Sequence, residues 1–210
     1  MVVSKPAEEA KVRVPKIVDA AERREEVLEA TWRVMARSGI DRVSIREIAS
    51  EAGCSTGVIA HYFKNKDDVL MSALFRVSRR EADRIRARTE GLKGLEALRA
   101  IIEEVLPIGE ERTLEMAVWM SFWGRAVGDV RLVAEQRRHY AAWRAVLRRH
   151  LREAVESGEI RHVDCSAEAI RLAGLIDGIG IQAVFEQQRL SGRRPVQLLG
   201  EYLASLARQR

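Results

Sequence analysis

Residues 44–63 constrain the fold of this chain more than any other segment, because they have the pattern of two short helices joined by a tight turn. Ser44 and Glu47 have the spacing of a capping box, in which each side chain accepts a hydrogen bond from the other residue's backbone. Apolar residues then recur at helical spacing up to Gly53, which stands where a left-handed residue ends a helix. Ser55 is placed to cap a second helix. The pattern predicts a helix-turn-helix.

The second helix of this motif has an outward face of small or polar residues, which is untypical of a core helix. Such a face lets a helix backbone approach the wall of a DNA major groove closely. The residues expected to face base edges are Thr56, Gly57, Ala60 and His61. Those expected to hold phosphates are Ser44, Ser55, Tyr62 and Lys66. The alternative interpretation is a surface helical hairpin that binds no ligand.

The flanking sequence extends the pattern on both sides. An amphipathic helix precedes the motif, and Asn65 is placed to cap a helix with acids in its first turn. This part of the chain resembles the TetR family of one-component regulators. The matching residues are Ala30, Gly39, Ser44, Ile48, Ala49, Ala52, Gly53, Ser55, Gly57, His61, Tyr62, Phe63, Lys66, Asp67, Asp68, Val69 and Leu70. Many relatives carry a tyrosine where this chain has Ala60, so their base preference does not transfer to it.

The composition favours an all-α protein. Of 210 residues, 47% are hydrophobic and only four are proline, while Leu, Ala, Arg and Glu dominate. No segment approaches the roughly 18 uncharged apolar residues of a membrane span, and the N-terminus lacks the apolar core of a signal peptide. Cys54 and Cys165 lie in unrelated contexts that indicate neither a metal site nor a disulfide framework. We therefore expect a cytoplasmic protein without a cofactor or metal.

The net charge of +5 is a weak argument for nucleic acid, because the excess comes from one segment. Residues 131–152 contain seven arginines and one acid, Glu135, far along the chain from the helix-turn-helix. We interpret this segment as the solvated face of a long helix, with a second DNA contact as the alternative.

Three regions are predicted along the chain. Residues 1–21 form a basic arm, which either lies along DNA or is a solvated tail. Residues 22–82 form the DNA-binding domain, and residues 83–210 form a helical ligand-binding and dimerisation domain. In the latter, Ser166 is the expected cap of a helix over 166–190. The other helices are expected at about 95–106, 111–127, 129–157 and 195–208.

The last two helices have more apolar surface than one monomer needs, which indicates self-association. Gly174 and Gly178 are four residues apart and would let a second helix approach closely. The family resemblance implies a four-helix dimer interface built from these helices. Its expected residues are Gly174, Gly178, Ile181, Phe185, Leu199 and Leu203. The alternative is a monomeric bundle in which this surface is core.

A group of aromatic residues and one acid indicates a ligand pocket. Trp119 and Trp123 share a helix face, Tyr140 and Trp143 follow on an antiparallel helix, and Asp177 interrupts an apolar helix. Such a set would suit a cage for an organic cation, and this part of the chain is similar to the BetI-like branch of the TetR family, which includes a choline-responsive repressor. The expected ligand-binding residues are Met116, Trp119, Trp123, Tyr140, Trp143 and Asp177. The alternative is ordinary packing around an apolar or amphipathic ligand.

Together these patterns predict a homodimeric regulator, a repressor by family resemblance, that a small molecule releases from a pseudo-palindromic operator. An activator would have the same features. An enzyme is not indicated, because the four histidines lack metal spacing and no phosphate loop or nucleophile elbow occurs. The remaining alternative is a helical ligand-binding or adaptor protein without operator binding.

Overall fold

A computed structural model of the protein describes residues 20–207. Within that range the chain folds into helices, and its only β-type pairing is an isolated bridge between Ile160 and Ala207. The helices are α1 (Ala20–Ser38), α2 (Ile45–Glu51), α3 (Thr56–Tyr62), α4 (Lys66–Thr89), α5 (Gly94–Val105), α6 (Glu110–Ala126), α7 (Val130–Glu156), α8 (Cys165–Phe185) and α9 (Arg194–Leu206). The predicted all-α class is confirmed. The predicted basic arm lies outside the described residues, apart from its last two positions.

The first hydrophobic core lies among α1 to α4 and also takes in α6. Leu28 and Met35 of α1 pack in it with Ile48 of α2 and Ile59 of α3, all of them at most 2% exposed. The core continues into α6, whose contribution is Val118, Trp119, Phe122 and Ala126. The DNA-binding domain is therefore closed by a helix that the chain reaches only after α5.

The second core lies among α5, α7, α8 and α9, with Ile85 at the far end of α4. Helix α4 has 24 residues and is thus about 36 Å long, enough to reach from the first core into the second. The predicted domain boundary between residues 82 and 83 falls inside this continuous helix, because one helix runs from the first domain into the second.

The predicted ends of α5, α6, α7 and α9 agree with the structure to within two residues, but α8 differs. Its cap is Asp164, not Ser166, because an Asp164 carboxylate oxygen accepts hydrogen bonds from the backbone of Ser166 at 2.9 Å and of Ala167 at 3.3 Å. The helix ends at Phe185 instead of residue 190. The polar residues 186–189 are exposed, so a longer helix would bury nothing.

Two residues assigned to the dimer interface belong to the second core. Leu199 and Leu203 of α9 have no accessible surface in the single chain, so a partner could not contact them without unpacking it. That part of the prediction is wrong. On α8, by contrast, Gly174 is exposed, Gly178 and Ile181 are half-buried, and Phe185 is 73% exposed.

The arginines of α7 point mostly to solvent, in agreement with a solvated face. The exposed ones are Arg131, Arg137, Arg138, Arg148, Arg149 and Arg152.

Candidate functional site

The helix-turn-helix is built by the local signals that the sequence contains. The Ser44 hydroxyl accepts from the Glu47 backbone N–H at 3.2 Å, and the Glu47 carboxylate accepts from the Ser44 N–H at 2.8 Å. Gly53 ends the first helix with a φ of +61°, which L side chains rarely adopt. The Ser55 hydroxyl accepts from the Val58 N–H and starts the second helix. The turn geometry is thus fixed within the motif itself.

Helix α3 is anchored on one side and open on the other. Ile59 and the following Phe63 are at most 4% exposed and hold the helix on the first core. The outward residues predicted to contact DNA are exposed, namely Ser55, Thr56, Gly57, Ala60 and His61. Tyr62 is half-buried beside the core, and its ring meets the His61 ring edge-on at 5.0 Å.

A shallow depression on this face brings in a residue that sequence reasoning missed. Arg23 of α1 lines it together with Ser55, Gly57 and His61 of the motif. The Arg23 guanidinium also donates to Glu26 at 2.6 Å. No sequence pattern indicates this approach of Arg23, because it depends on how α1 crosses α3.

The predicted phosphate contacts differ in how free their side chains are. Lys66 is half-buried and its Nζ donates to the Asp41 carbonyl at 3.4 Å, while the Ser44 hydroxyl is engaged in the cap. Within residues 20–207, three exposed cations near the motif pair with no carboxylate; they are Arg42, Arg46 and Lys64. These cations add to the positive potential of the same face.

A cavity of about 400 Å³ lies among α4, α6, α7 and α8, with Val105 of α5 at its edge. This volume is within the range of small-molecule sites. All six residues predicted to bind a ligand line it: Met116, Trp119, Trp123, Tyr140, Trp143 and Asp177. Their convergence does not by itself identify an occupant, so their role in binding stays a prediction.

The aromatic wall of the cavity is continuous. The Trp119 ring lies 6.4 Å from the Trp123 ring and 4.8 Å from the His139 ring, with tilted planes in both pairs. Burial lowers the pKa of His139, which favours its neutral form. The Trp119, Trp123 and His139 rings therefore add no positive charge of their own, whereas the Arg144 guanidinium lies over the Tyr140 ring, 5.7 Å from its centroid.

Asp177 of α8 adds a carboxyl group to the cavity lining, beside Tyr140. The Tyr140 hydroxyl donates to Asp177 Oδ2 at 2.7 Å. Burial raises the pKa of Asp177, and this hydrogen bond partly opposes the rise. Burial also raises the pKa of Tyr140, and the hydrogen bond to Asp177 adds to that rise, so the phenol stays protonated and keeps donating.

A second carboxyl group in the cavity was missed by sequence reasoning. Glu81 of α4 lines the cavity, and burial followed by the charge of Glu115 raises its pKa to about 7. It shares an inward face of α4 with Ser78 and Ile85, at three- and four-residue spacing. That spacing is the signal in the sequence for an inward face, but the predicted domain boundary at residues 82 and 83 places Glu81 in the DNA-binding domain.

Arg84, three residues after Glu81 on α4, belongs to a network of paired charges. Arg84 donates to Glu104 at 2.8 Å and to Glu115 at 2.9 Å, and Arg112 donates to Glu104 at 2.9 Å. Glu104 is 5% exposed, so these arginines compensate a buried charge. They are already engaged and do not neutralise Glu81.

One cavity wall also holds a polar group without a partner among the described residues. The Trp123 indole N–H is buried and makes no hydrogen bond. Because buried polar groups are normally satisfied, a ligand with a hydroxyl or carbonyl oxygen would find a donor here.

The cavity is connected to the DNA-binding domain through α6. This helix carries Trp119 and Trp123, and near its end the Arg125 guanidinium pairs with Asp67 in the first turn of α4. Arg125 and Asp67 also line a second cavity, of about 290 Å³, between the two parts of the molecule.

Two other classes of site have no counterpart within residues 20–207. This part of the chain contains no cluster of His, Cys, Asp or Glu with the geometry of a metal site. In the same residues, no helix is long and apolar enough to cross a membrane.

Comparison with known proteins agrees with this arrangement. The sequence profile of the bacterial regulatory proteins of the tetR family matches residues 27–73, and that of the C-terminal domain of BetI-type transcriptional repressors matches residues 94–208. The HTH-type transcriptional regulator PksA of Bacillus subtilis is 30% identical over 196 residues, which are 92% of this chain and 94% of the PksA chain. BetI of Cronobacter sakazakii is 29% identical over 83% of this chain and 86% of its own.

A solved structure is similar over nearly the whole length. It is a crystal structure of a protein from Saccharomonospora viridis in complex with choline, with a TM-score of 0.85, 30% identity and coverage of 90% of this chain and 100% of that chain. The PksA and BetI relatives are named as transcriptional regulators, in agreement with the prediction of a regulator and not an enzyme. The chain belongs to the TetR family of helix-turn-helix transcriptional regulators, in its BetI-type branch.

Proposed function

We propose that this protein is a homodimeric repressor that a small organic cation releases from a pseudo-palindromic operator. The observation that carries the proposal is the cavity, where an aromatic wall from α6 and α7 faces the Asp177 carboxylate of α8. Operator binding would place the protein in the cytoplasm.

The DNA-binding part of the proposal rests on α3. Its exposed face from Ser55 to His61 is small enough to enter a major groove, and Arg42, Arg46 and Lys64 lie beside it as free cations. Two copies related by a two-fold axis would read two half-sites about one helical turn apart or somewhat more. The base contacts of Thr56, Gly57, Ala60 and His61 remain predictions, as do the phosphate contacts.

The dimer is proposed to form through the outer face of α8. A Cβ atom added at Gly174 or Gly178 would meet nothing within 4 Å in the single chain, so this strip is open. Ile170 is 60% and Phe185 is 73% exposed on the same face. Exposed apolar residues beside glycines suit a closely packed helix pair across a two-fold axis.

The effector is proposed to be a monovalent organic cation of the quaternary ammonium type. A cation gains about 0.5–2 kcal/mol over a good aromatic face, and Asp177 adds a charge that a neutral ligand would not use. The choline bound to the Saccharomonospora viridis relative supports this class.

Release from DNA is proposed to run through α6. A ligand against Trp119 and Trp123 would bias the position of this helix, and Arg125 joins its end to Asp67 of α4. A small shift there would change the spacing of the two recognition helices in the dimer.

The test is fluorescence anisotropy with DNA from the protein's own promoter, titrated with choline and with its neutral isostere 3,3-dimethylbutan-1-ol. We expect specific binding that choline weakens and the isostere does not. Asp177→Asn should weaken the choline effect by roughly tenfold or more, because two unit charges about 4 Å apart attract by about 4 kcal/mol at an effective dielectric constant of 20, and desolvation offsets only part of this.

Two outcomes would contradict the proposal. If the protein binds choline but no promoter DNA, the adaptor alternative holds. If the neutral isostere acts as strongly as choline, or Asp177→Asn changes nothing, the aromatic residues are packing and Asp177 is structural. A promoter reporter with and without the protein distinguishes a repressor from an activator.

A further inference from the structure

Glu81 is the least compensated acid that lines the effector cavity. Its carboxyl group makes no hydrogen bond or ion pair within the described part of the chain, whereas Asp177 accepts from Tyr140. An unpaired carboxylate next to a cavity in the protein interior is costly unless it is protonated or meets a cation.

The groups around Glu81 come from every helix that lines the cavity, and they are mostly negative or neutral. Glu115 of α6, Glu104 of α5 and Asp177 of α8 oppose its ionisation, and Arg84 on its own helix favours it. Arg84, however, is divided between Glu104 and Glu115. Arg86 of the same helix also lines the cavity, but it is exposed and pairs with Asp83 at 2.7 Å.

Helix α7 completes the surroundings of Glu81. His139 and Tyr140 line the cavity from this helix, and burial keeps both uncharged. Arg149 is also at the lining, but it is exposed and lies 2.8 Å from His150, on the side away from the DNA-binding domain. No described group on α7 therefore pairs with Glu81.

We propose that Glu81 is the second anionic contact of the cationic effector and that effector binding ionises it, so that the protein exchanges a proton for the cation. This inference rests on the proposed function. The proton leaves the Glu81 carboxyl group for solvent, and the positive charge of the ligand replaces it. Asp177 and Glu81 then face the cation from α8 and α4, with the aromatic wall beside it.

The sign of the pH effect follows from linkage. In the empty cavity the pKa of Glu81 is about 7, and a bound cation lowers it. Below pH 7 the proton must first leave, so affinity for a permanently charged ligand falls as pH falls. Above pH 7 the carboxylate is already formed and affinity levels off. One linked proton corresponds to roughly a tenfold loss of affinity between pH 8 and pH 6.

The location of Glu81 gives this exchange a regulatory meaning. It lies on α4, whose first turn follows the helix-turn-helix and contains the Lys66 and Asp67 already described. When the effector binds, the half-buried carboxyl group of Glu81 would change from a neutral group to one member of an ion pair. Acidification would make the repressor less sensitive to its effector.

The experiment is isothermal titration calorimetry of the full chain with choline at pH 6, 7 and 8, in two buffers of different ionisation enthalpy. We expect nearly one proton released per choline at pH 6, about half at pH 7 and almost none at pH 8. Glu81→Gln should bind choline more weakly at pH 8 and release no proton at any pH. Asp177→Asn should also bind more weakly but still release a proton, with the midpoint moved to lower pH.

Glu103→Gln serves as the matched control, since Glu103 belongs to α5 and does not line the cavity. It should leave affinity and proton release unchanged. The wild-type titration needs no variant, so a folding defect in Glu81→Gln would not leave the inference untested. Circular dichroism checks that each variant is folded.

The outcomes separate the two proposals. Choline binding without proton release, or equal release from Glu81→Gln, overturns the role of Glu81 and leaves the cationic effector standing. If neither choline nor tetramethylammonium binds the wild type at any pH, the effector class is overturned, and the role of Glu81 with it.

Discussion

The recognition face comes from the seven consecutive residues of α3 and the cap before it, whereas the cavity lining comes from five helices between Ser78 and Asp177. The first site is set by hydrogen bonds that span three or four residues, as in the capping box of Ser44. The second exists only when distant helices pack. The turn geometry of the first site is specified within the motif, while the cavity forms only when both cores are packed.

The largest expected effect tests whether the two regions are separate at all. Phe122 lies on α6 but is 1% exposed in the first core, against the DNA-binding helices. Phe122→Ala should lower the free energy of unfolding by about 3–5 kcal/mol, measured by urea denaturation.

The same change should reduce hydrogen-exchange protection in α1 as well as in α6, because both helices border the cavity that it leaves. Leu114→Ala on the same helix is the control, since Leu114 is 36% exposed and should cost little. Unchanged protection in α1 would show that the DNA-binding domain is independent of α6.

The next prediction measures how much of the operator affinity depends on two linked DNA-binding faces in a dimer, compared with one face in a single subunit. Gly178→Leu should abolish close helix approach on α8 while leaving the monomer folded, because the added Cβ meets nothing within 4 Å. Operator affinity should then fall by roughly 10²–10⁴, the usual gain from linking two sites. Analytical ultracentrifugation and anisotropy measure the two effects.

Gly124→Leu is the matched control, because Gly124 is an exposed and open glycine on α6. It should remain dimeric. A Gly178→Leu variant that also stays dimeric would place the interface on another surface.

A smaller effect tests the local site alone. Lys66→Ala should weaken binding to all DNA sequences and lower the slope of log K against log salt concentration by about one unit per lost contact in each subunit. Effector affinity in the cavity should not change.

Lys93→Ala is the comparison for Lys66, since Lys93 is exposed but precedes α5. It should leave the slope as it is. If Lys66→Ala also retains the wild-type slope, the Lys66 ammonium stays with the Asp41 carbonyl and does not reach phosphate.

The smallest expected effect concerns the link between the two sites. The Arg125 and Asp67 side chains are 33% and 60% exposed, so their pair should contribute only about 0.2–1 kcal/mol to stability. Arg125→Gln should nevertheless reduce the ratio of operator affinities without and with choline, by roughly two- to fivefold, a part of a typical coupling free energy.

Anisotropy titrations of the Arg125→Gln variant measure that ratio. A variant with the wild-type ratio would show that the signal reaches the DNA-binding domain by α4 and not by this ion pair.

Most of the fold and much of the cavity were predictable because their signals are short in range. Gly53 and the capping serines specify the motif within a few residues, and the spacing of Trp119 and Trp123 places both rings on one helix face. The antiparallel order of α6 and α7 then brings Tyr140 close. None of these inferences needed long-range geometry.

The errors arose where two choices have similar local chemistry. Asp164 and Ser166 are both good helix caps, and the structure uses the acid. Leu199 and Leu203 form an apolar stripe that could pack against a partner subunit or against the chain's own core. Hydropathy alone does not distinguish the two arrangements. No local pattern distinguishes Glu81 from the other charged residues of α4. Only the packing of α5 and α6 shows that its neighbour Arg84 is already engaged.

The sharing of α6 between the two cores limits how this regulator can be re-engineered. A chimera that takes the DNA-binding domain only as far as the end of α4 at Thr89 would lose Val118, Phe122 and Ala126, which complete the first core. The graft would expose the apolar side chains that those three cover, such as parts of α1 and α4, and would be prone to aggregate. Exchanging operator specificity therefore calls for transplanting the outward residues of α3, and not the domain that carries them.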